Sequence, residues 1–223
     1  HRPRPSSLGR ALDQGRAVIV VVDYGVNNLA SVVRALAAGG HAATLTTDPD
    51  QVRRADHVLM PGVGNFGQAS RTLESTGLGA AVRDATSRGA AVMGICLGLQ
   101  LFFASSAEAP EARGLGILPG RVVRFDTQLH VPHVGWAQVD PTASGTRHPM
   151  LAAVFGGQPR FFYHVHSYHP AGLSGDDVLA TGTYDTVFPT LVGHDNVVGA
   201  QFHPEKSQRA GIELLDAFAR WQP

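Results

Sequence analysis

Short, strongly apolar runs alternate with segments of helical spacing through the first part of this chain. Candidate buried strands lie at Ala17–Val22, His57–Met60 and Ala90–Ile95, and each leads into a turn and then a helical stretch. This alternation is typical of a parallel sheet with helices on both faces, because parallel strands need a long crossover connection. After Gly114 the runs become shorter and are separated by Gly, Pro and Asp, which favours antiparallel strands. We therefore predict an α/β fold with a mostly parallel central sheet flanked by helices and a smaller antiparallel section.

The predicted elements fit one domain, residues 17–223. Before it, residues 1–16 are rich in Arg and form an N-terminal extension, either flexible or not native to the protein. Helices are predicted from Leu29 onward, at Phe66–Ser75, Leu78–Arg88, Leu97–Ala104 and Gln208–Trp221. Further strands are predicted at Ala43–Thr47, Arg121–Phe125, Phe161–Val165, Val178–Thr183, Thr186–Val192 and Val197–Phe202.

Charge and cysteine content exclude several classes of protein. Lys plus Arg and Asp plus Glu both number 18, so no nucleic-acid or anionic-membrane partner is indicated. A single cysteine allows no internal disulfide, which favours a reducing compartment such as the cytoplasm. The early apolar run Ala17–Val22 is too short to span a membrane.

The sole cysteine lies in the segment Gly94-Ile95-Cys96-Leu97-Gly98, where a predicted strand becomes a helix. This is the form of a nucleophile elbow, in which small flanking residues allow a sharp turn. Cys96 would sit at a helix N-terminus that favours thiolate, and the Leu97 N–H would point toward an oxyanion. The alternative is that Cys96 is a small buried apolar residue.

A candidate base follows about a hundred residues later, in the segment Gln201-Phe202-His203-Pro204-Glu205. In extended backbone, residues two apart project to the same face, so Glu205 can approach and orient the His203 imidazole. Taken alone, this stretch also fits a histidine at a strand end beside a solvated Glu. Together with the elbow, it predicts a Cys96–His203–Glu205 triad.

Six segments appear in an order that resembles one family: DYGVNNL, LMPGVGNF, GICLGLQ, VPHVGW, HVHSY and QFHPEKS. They resemble the class I glutamine amidotransferases, and within them the HisH family, the glutaminase subunits of imidazole glycerol phosphate synthase. The resemblance spans about Val18 to Trp221. It implies that Cys96 attacks the carboxamide of L-glutamine, with His203 as base and then acid. The implied oxyanion donors are Gly62, Val63, Gly64 and Leu97, and the implied glutamine contacts are Gln100, His166, Ser167 and Tyr168.

The resemblance also implies a partner and no cofactor. Ammonia would pass to a (βα)8-barrel cyclase subunit in a heterodimer, with Asn28, Tyr163 and Lys206 near the interface or the ammonia path. Other interpretations stay open for these positions: Asn27 or Asn28 can cap the first helix, and Lys206 can be an ordinary solvated lysine. Ala137 and His164 stand where the family usually has Asn and Phe.

Histidines cluster at His130, His133, His164, His166 and His169 without a second Cys or carboxylate pair, so we predict no metal site. Two functions compete with the HisH interpretation. One is a related amidotransferase subunit serving a different synthase, and the other is a stand-alone cysteine hydrolase or a silent binding module.

Overall fold

The computed structural model describes residues 17–223, so the predicted N-terminal extension lies outside the described residues. Strands run over β1 Ile19–Val22, β2 Ala43–Thr46, β3 His57–Gly62, β4 Ala91–Cys96, β5 Arg121–Arg124, β6 His133–Pro141, β7 Arg160–His166, β8 Tyr168–Ala171, β9 Val178–Tyr184, β10 Thr186–His194 and β11 Val197–Ala200. Helices run over α1 Leu29–Ala38, α2 Pro49–Arg54, α3 Phe66–Ser75, α4 Leu78–Ser87, α5 Leu97–Gln100, α6 Ala143–Arg147, α7 Pro149–Phe155 and α8 Gln208–Arg220, with a 3-10 helix at Pro204–Lys206.

Within residues 17–223, nine strands form one sheet in the order β2-β1-β3-β4-β11-β10-β9-β6-β7. The five strands from β2 to β11 are parallel, and β10, β9, β6 and β7 continue the sheet with antiparallel pairing. A separate antiparallel pair joins β5 to β8. The predicted fold class, a mostly parallel sheet with a smaller antiparallel section, is therefore confirmed.

Both faces of the parallel strands β1, β3, β4 and β11 are buried, which explains why their sequences are almost continuously apolar, whereas the edge strand β2 is partly exposed. In β1, Ile19 and Val21 contribute to one apolar cluster with α1 and α8, while Val20 and Val22 contribute to a second cluster with α3 and α4. All four side chains are buried. Full burial of such a side chain contributes about 1.5–3 kcal/mol, so these layers hold the central strands in place.

The candidate site lies at the carboxyl ends of the parallel strands. There, the turn after β1, the loop after β3, Cys96 at the end of β4 and the segment after β11 come together. Open α/β sheets bind ligands at this edge, because loops from several strands converge where the helices begin.

The predicted helix Leu97–Ala104 is wrong beyond Gln100. The carbonyl of Leu101 accepts from the Leu115 N–H at 2.7 Å, and that of Phe102 accepts from the Ile117 N–H at 2.9 Å. These carbonyls bond a returning segment instead of the next helical turn. The chain therefore leaves the helix after a single turn.

Five elements escaped prediction: α2, β6, β8 and the two short helices α6 and α7 between β6 and β7. In β6 the outward residues Val134 and Trp136 are apolar and exposed, so the strand lacks the polar alternation expected of a half-buried strand. The two short helices carry local signals that were available. The Thr142 side chain caps α6 by accepting from the Gly145 N–H at 3.0 Å, and Pro149 opens α7.

No helix within residues 17–223 is both long and apolar enough to cross a lipid bilayer.

Candidate active site

Cys96 occupies a strained turn between β4 and α5. Its φ is 53° and its ψ is −108°, a conformation that residues other than glycine rarely adopt. Such strain typically costs about 1–3 kcal/mol and persists only where the surroundings enforce it. Flanking glycines make the turn possible, because a Cβ on Gly98 would lie 1.7 Å from the Met60 carbonyl oxygen and one on Gly94 would lie 2.6 Å from the Leu99 backbone nitrogen.

The Cys96 sulfur is almost enclosed, with the residue 7% exposed. Its Sγ lies 4.0 Å from the carbonyl oxygen of Val165 in β7 and 3.7 Å from the side-chain Nε2 of Gln201. The nucleophile candidate therefore lies between the parallel part of the sheet and the antiparallel part. Neither neighbour was singled out from the sequence.

His203 and Glu205 form a buried pair. His203 Nδ1 lies 2.6 Å from Glu205 Oε1, and both side chains are 1% exposed. The predicted approach of these two residues is confirmed, although the backbone differs from the prediction. Strand β11 ends at Ala200 instead of Phe202, and Pro204–Lys206 forms a 3-10 turn that brings the carboxylate back to the imidazole.

Charges around His203 favour the protonated imidazole. Burial by itself would lower its pKa, but the negative charge of ionised Cys96 and the bonded carboxylate of Glu205 outweigh burial and raise the pKa to about 10. The second ring nitrogen, Nε2, is buried and makes no hydrogen bond within residues 17–223. Cys96 is thus, together with Glu205, the neighbour that raises the pKa of His203.

Asn28 contacts the same carboxylate from the turn after β1. Its Nδ2 donates to Glu205 Oε1 at 2.5 Å. The sequence left open that Asn27 or Asn28 caps the first helix. Asn28 does stand at the N-cap position of α1, but its φ is 78° and its side chain makes no capping bond among the described residues. The left-handed backbone turns the amide toward Glu205, which explains the difference. Asn27 is exposed.

The loop after β3 lies beside Cys96. Gly62 pairs with Cys96 across β3 and β4, and Gly64 has a φ of 142°, which favours glycine. Beneath the loop, the buried Tyr24 hydroxyl donates to the Pro61 carbonyl at 2.8 Å. Burial, with the nearby charge of Cys96, raises the pKa of Tyr24 far above its usual value, so this phenol stays neutral.

A cavity of about 240 Å³ opens beside the sulfur. Eight residues singled out from the sequence line it: Val63, Gly64, Cys96, Leu97, Gln100, His166, Ser167 and Tyr168. Sequence reasoning did not assign three further lining residues to the site: Glu108, Pro132 and Val165. Pro132 and Val165 lie within the segments VPHVGW and HVHSY, and Glu108 lies in a loop. The predicted substrate contacts therefore surround one space next to Cys96.

The histidine cluster is an aromatic core and not a set of converging ligands. His164 is fully buried, and burial is the main cause that lowers its pKa to about 3. Its Nε2 lies 2.9 Å from Thr190 Oγ1. His166 bonds the Tyr168 carbonyl at 2.9 Å and shapes the turn from β7 to β8. Among residues 17–223, no group of three His, Cys, Asp or Glu is placed to hold a metal ion.

An exposed apolar surface covers the outer face of the β6–β7 hairpin. Val134, Trp136 and Phe161 are each about half exposed, at 56%, 48% and 56%. Trp136 contacts Tyr163 edge-on at 6.3 Å between ring centroids, and Lys206 Nζ lies 5.9 Å from the Tyr163 ring centroid. We call Val134, Trp136, Phe161, Tyr163 and Lys206 the hairpin face.

Comparison with known proteins identifies the family. The family model of class I glutamine amidotransferases matches residues 20–220. HisH subunits of imidazole glycerol phosphate synthase from Symbiobacterium thermophilum and Salinibacter ruber are 43% and 41% identical to this chain. The alignments cover 92% and 89% of this chain and 94% and 92% of those proteins. This chain belongs to the HisH family of class I glutamine amidotransferases. It is therefore a glutamine-hydrolysing enzyme, and the family connects it with histidine biosynthesis.

Solved structures show the same fold at much lower identity. A glutamine amidotransferase crystal structure gives a TM-score of 0.70 at 19% identity, covering 90% of this chain and 98% of that one. PurLQS from Thermotoga maritima also gives 0.70, at 17% identity, with coverage of 91% and 97%. The fold is thus shared well beyond the HisH relatives.

Proposed function

We propose that this HisH-type chain hydrolyses L-glutamine through Cys96, His203 and Glu205 and delivers the ammonia to a cyclase subunit of imidazole glycerol phosphate synthase. One observation carries the assignment of the site. A strained cysteine at a strand end lies beside a buried imidazole that Glu205 holds and whose pKa is raised to about 10. At neutral pH this arrangement favours a thiolate paired with an imidazolium.

The first half-reaction releases ammonia. The Cys96 thiolate attacks the carboxamide carbon, and the carbonyl electron pair moves onto oxygen. Backbone N–H groups of Leu97 and of the Gly62–Gly64 loop stabilise this oxyanion. The His203 imidazolium gives its proton to the departing nitrogen, the C–N bond breaks, and ammonia leaves a γ-glutamyl thioester on Cys96.

The second half-reaction restores the enzyme. Neutral His203 takes a proton from water as the water oxygen attacks the thioester carbon. The C–S bond then breaks, which regenerates thiolate and imidazolium. Glutamate leaves as a carboxylic acid that ionises in water. Throughout, Glu205 orients the imidazole and stabilises its charged form.

The cavity of about 240 Å³ accommodates a single amino acid. Gln100 and the His166–Tyr168 segment line it and are the proposed contacts of the bound glutamine. Glu108 adds a carboxylate to the wall, which suits the α-ammonium group of the substrate. The Glu108 carboxylate would favour an amino acid over a simple amide.

The hairpin face is the proposed docking surface for the cyclase. Large exposed apolar patches mark interaction sites, and the relatives' name describes a subunit. In the heterodimer, the cyclase would use the ammonia to convert PRFAR to imidazole glycerol phosphate and AICAR. A shielded route keeps ammonia unprotonated and therefore nucleophilic. Asn28 lies on the triad side, and Tyr163 and Lys206 lie on the hairpin face.

The decisive experiment mixes the purified chain with the cyclase subunit of the same organism and measures imidazole glycerol phosphate. We expect formation of product from glutamine by the wild type, and from ammonium salts alone by Cys96→Ala. Residual glutamine-dependent product with Cys96→Ala would show that another residue is the nucleophile. An active glutaminase that yields no product with this cyclase would indicate a different synthase. Full glutaminase turnover without any partner would indicate an independent hydrolase.

A further inference from the structure

Gln201 presents a buried amide to the nucleophile. It follows β11, is fully buried at 0% exposure, and places its Nε2 3.7 Å from Cys96 Sγ. A buried amide N–H without a partner typically costs about 1–3 kcal/mol, and the sulfur is the partner this group has. The contact joins residues 105 positions apart in the chain.

Hydrogen bonds fix which end of the Gln201 amide faces the sulfur. Gln100 Nε2 donates to the backbone carbonyl of Tyr168 at 3.2 Å and to Gln201 Oε1 at 3.2 Å. A backbone carbonyl can only accept, so Gln100 must turn its NH2 group toward it. If the Gln201 amide were flipped, two NH2 groups would face each other. The donor end of Gln201 is therefore directed at Cys96.

We infer that Gln201 is a further catalytic residue, which donates a hydrogen bond to the Cys96 sulfur and stabilises it as thiolate. The inference rests on the proposed role of Cys96 as nucleophile. Hydrogen bonds to ionised groups are roughly twice as strong as neutral ones, so the bond strengthens when the thiol ionises. His203 and Gln201 then act together: one supplies a full positive charge and the other an oriented dipole that cannot be titrated away.

The same chain of bonds reaches the substrate cavity. Gln100, which holds the Gln201 amide, lines the cavity that the proposed substrate would occupy. The orientation of the N–H that faces the sulfur thus depends on a side chain next to the substrate.

The test is the rate of Cys96 alkylation by iodoacetamide as a function of pH, measured on the full chain. Cys96 is the only cysteine of the 223 residues, so the reaction reports a single sulfur. The titratable groups around it are Tyr24, Glu108, His166, Tyr168, His203 and Glu205. They are unchanged in the variants, so a difference between profiles isolates Gln201.

For Gln201→Met, which keeps length and removes the donor, we expect alkylation at pH 7 to slow about tenfold and the midpoint to move up by about one pH unit. Gln201→Glu should give a larger change in the same direction, because a carboxylate then faces the thiolate. Gln158→Glu, the same substitution at an exposed position, should match the wild type. Superimposable Gln201→Met and wild-type profiles would overturn the inference.

A second measurement needs no folded variant. In the wild-type chain, the side-chain NH2 resonances of Gln201 should shift with the same pH midpoint as the alkylation rate. If the chemical shifts of the Gln201 side-chain NH2 group do not change as Cys96 ionises, the inference is overturned. Alkylation requires no glutamine, so this result stands apart from the glutaminase assay. In that assay, Gln201→Met should lower the glutamine-dependent kcat and spare the ammonia-dependent reaction.

Discussion

Gly62 lies directly opposite Cys96 in the parallel pairing of β3 with β4. Strand β4, which carries Cys96, and strand β3, which leads into the Gly62–Gly64 loop, therefore end at the same level. Ladder pairing thus holds Gly62, where the loop begins, beside Cys96.

Replacement of Gly62 should damage this arrangement through Tyr24. A Cβ at residue 62 would lie 2.4 Å from the Tyr24 hydroxyl oxygen, which must then move. We expect Gly62→Ala to lower the free energy of unfolding by about 1–3 kcal/mol. Tyr24→Phe removes the clashing oxygen, so the double variant should be less destabilised than the sum of the single variants. Urea unfolding of all four proteins measures this, and strict additivity would contradict it.

Asn28 should support catalysis through Glu205. Asn28→Ala removes the hydrogen bond to the carboxylate oxygen that also holds His203. A bond to a charged group contributes about 1.5–3 kcal/mol, so glutamine-dependent turnover should fall roughly tenfold or more. The ammonia-dependent reaction of the complex should be unchanged. Asn27→Ala, at the exposed neighbouring position, is the matched control, and an equal loss there would argue against a specific role.

His164 should make the protein sensitive to acid. Its folded-state pKa is lowered to about 3 from an ordinary value of 6.5. Between these two pH values, His164 is therefore protonated in the unfolded chain but neutral in the native protein. Stability is therefore retained above pH 6.5 and is lost as the pH falls toward 3.

The substitution that tests this is His164→Phe combined with Thr190→Val, which also removes the hydroxyl bonded to His164. Between pH 6 and pH 4, loss of one such group should reduce the slope of unfolding free energy by about 1.4 kcal/mol per pH unit. Denaturant unfolding at several pH values gives the slope. An unchanged slope would show that His164 is not the titrating group.

Trp136 should anchor the cyclase. A large aromatic side chain at the centre of an apolar surface typically contributes about 2 kcal/mol or more to binding, so Trp136→Ala should weaken the complex roughly thirtyfold. Leu45→Ala is a fitting control, because Leu45 is 46% exposed on β2 at the opposite edge of the sheet. Calorimetric titration with the cyclase measures both. Equal affinities for the two variants would place the interface elsewhere.

Local patterns were enough to predict the parallel strands and the proposed nucleophile and base. Runs of apolar residues predict buried strands. The elbow at Cys96 and the spacing of His203 and Glu205 are also recognisable within a few consecutive residues. The antiparallel half was harder to predict. Strand β6 lacks the alternation of apolar and polar residues that marks a half-buried strand. On its exposed side it carries Val134 and Trp136 of the hairpin face, where polar residues would be expected.

The sequence by itself determined the family and the order along the chain of the segments that carry the proposed nucleophile and base. It also determined the sharp turn at Cys96, which Gly94 and Gly98 permit. Only the tertiary structure decided what surrounds that sulfur. Asn28 meets Glu205 across 177 positions, and Gln201 meets Cys96 across 105. Such contacts follow from how strands assemble in a sheet and not from local spacing. The orientation of the Gln201 amide depends in turn, through Gln100, on the backbone carbonyl of Tyr168, whose position cannot be predicted from residue types.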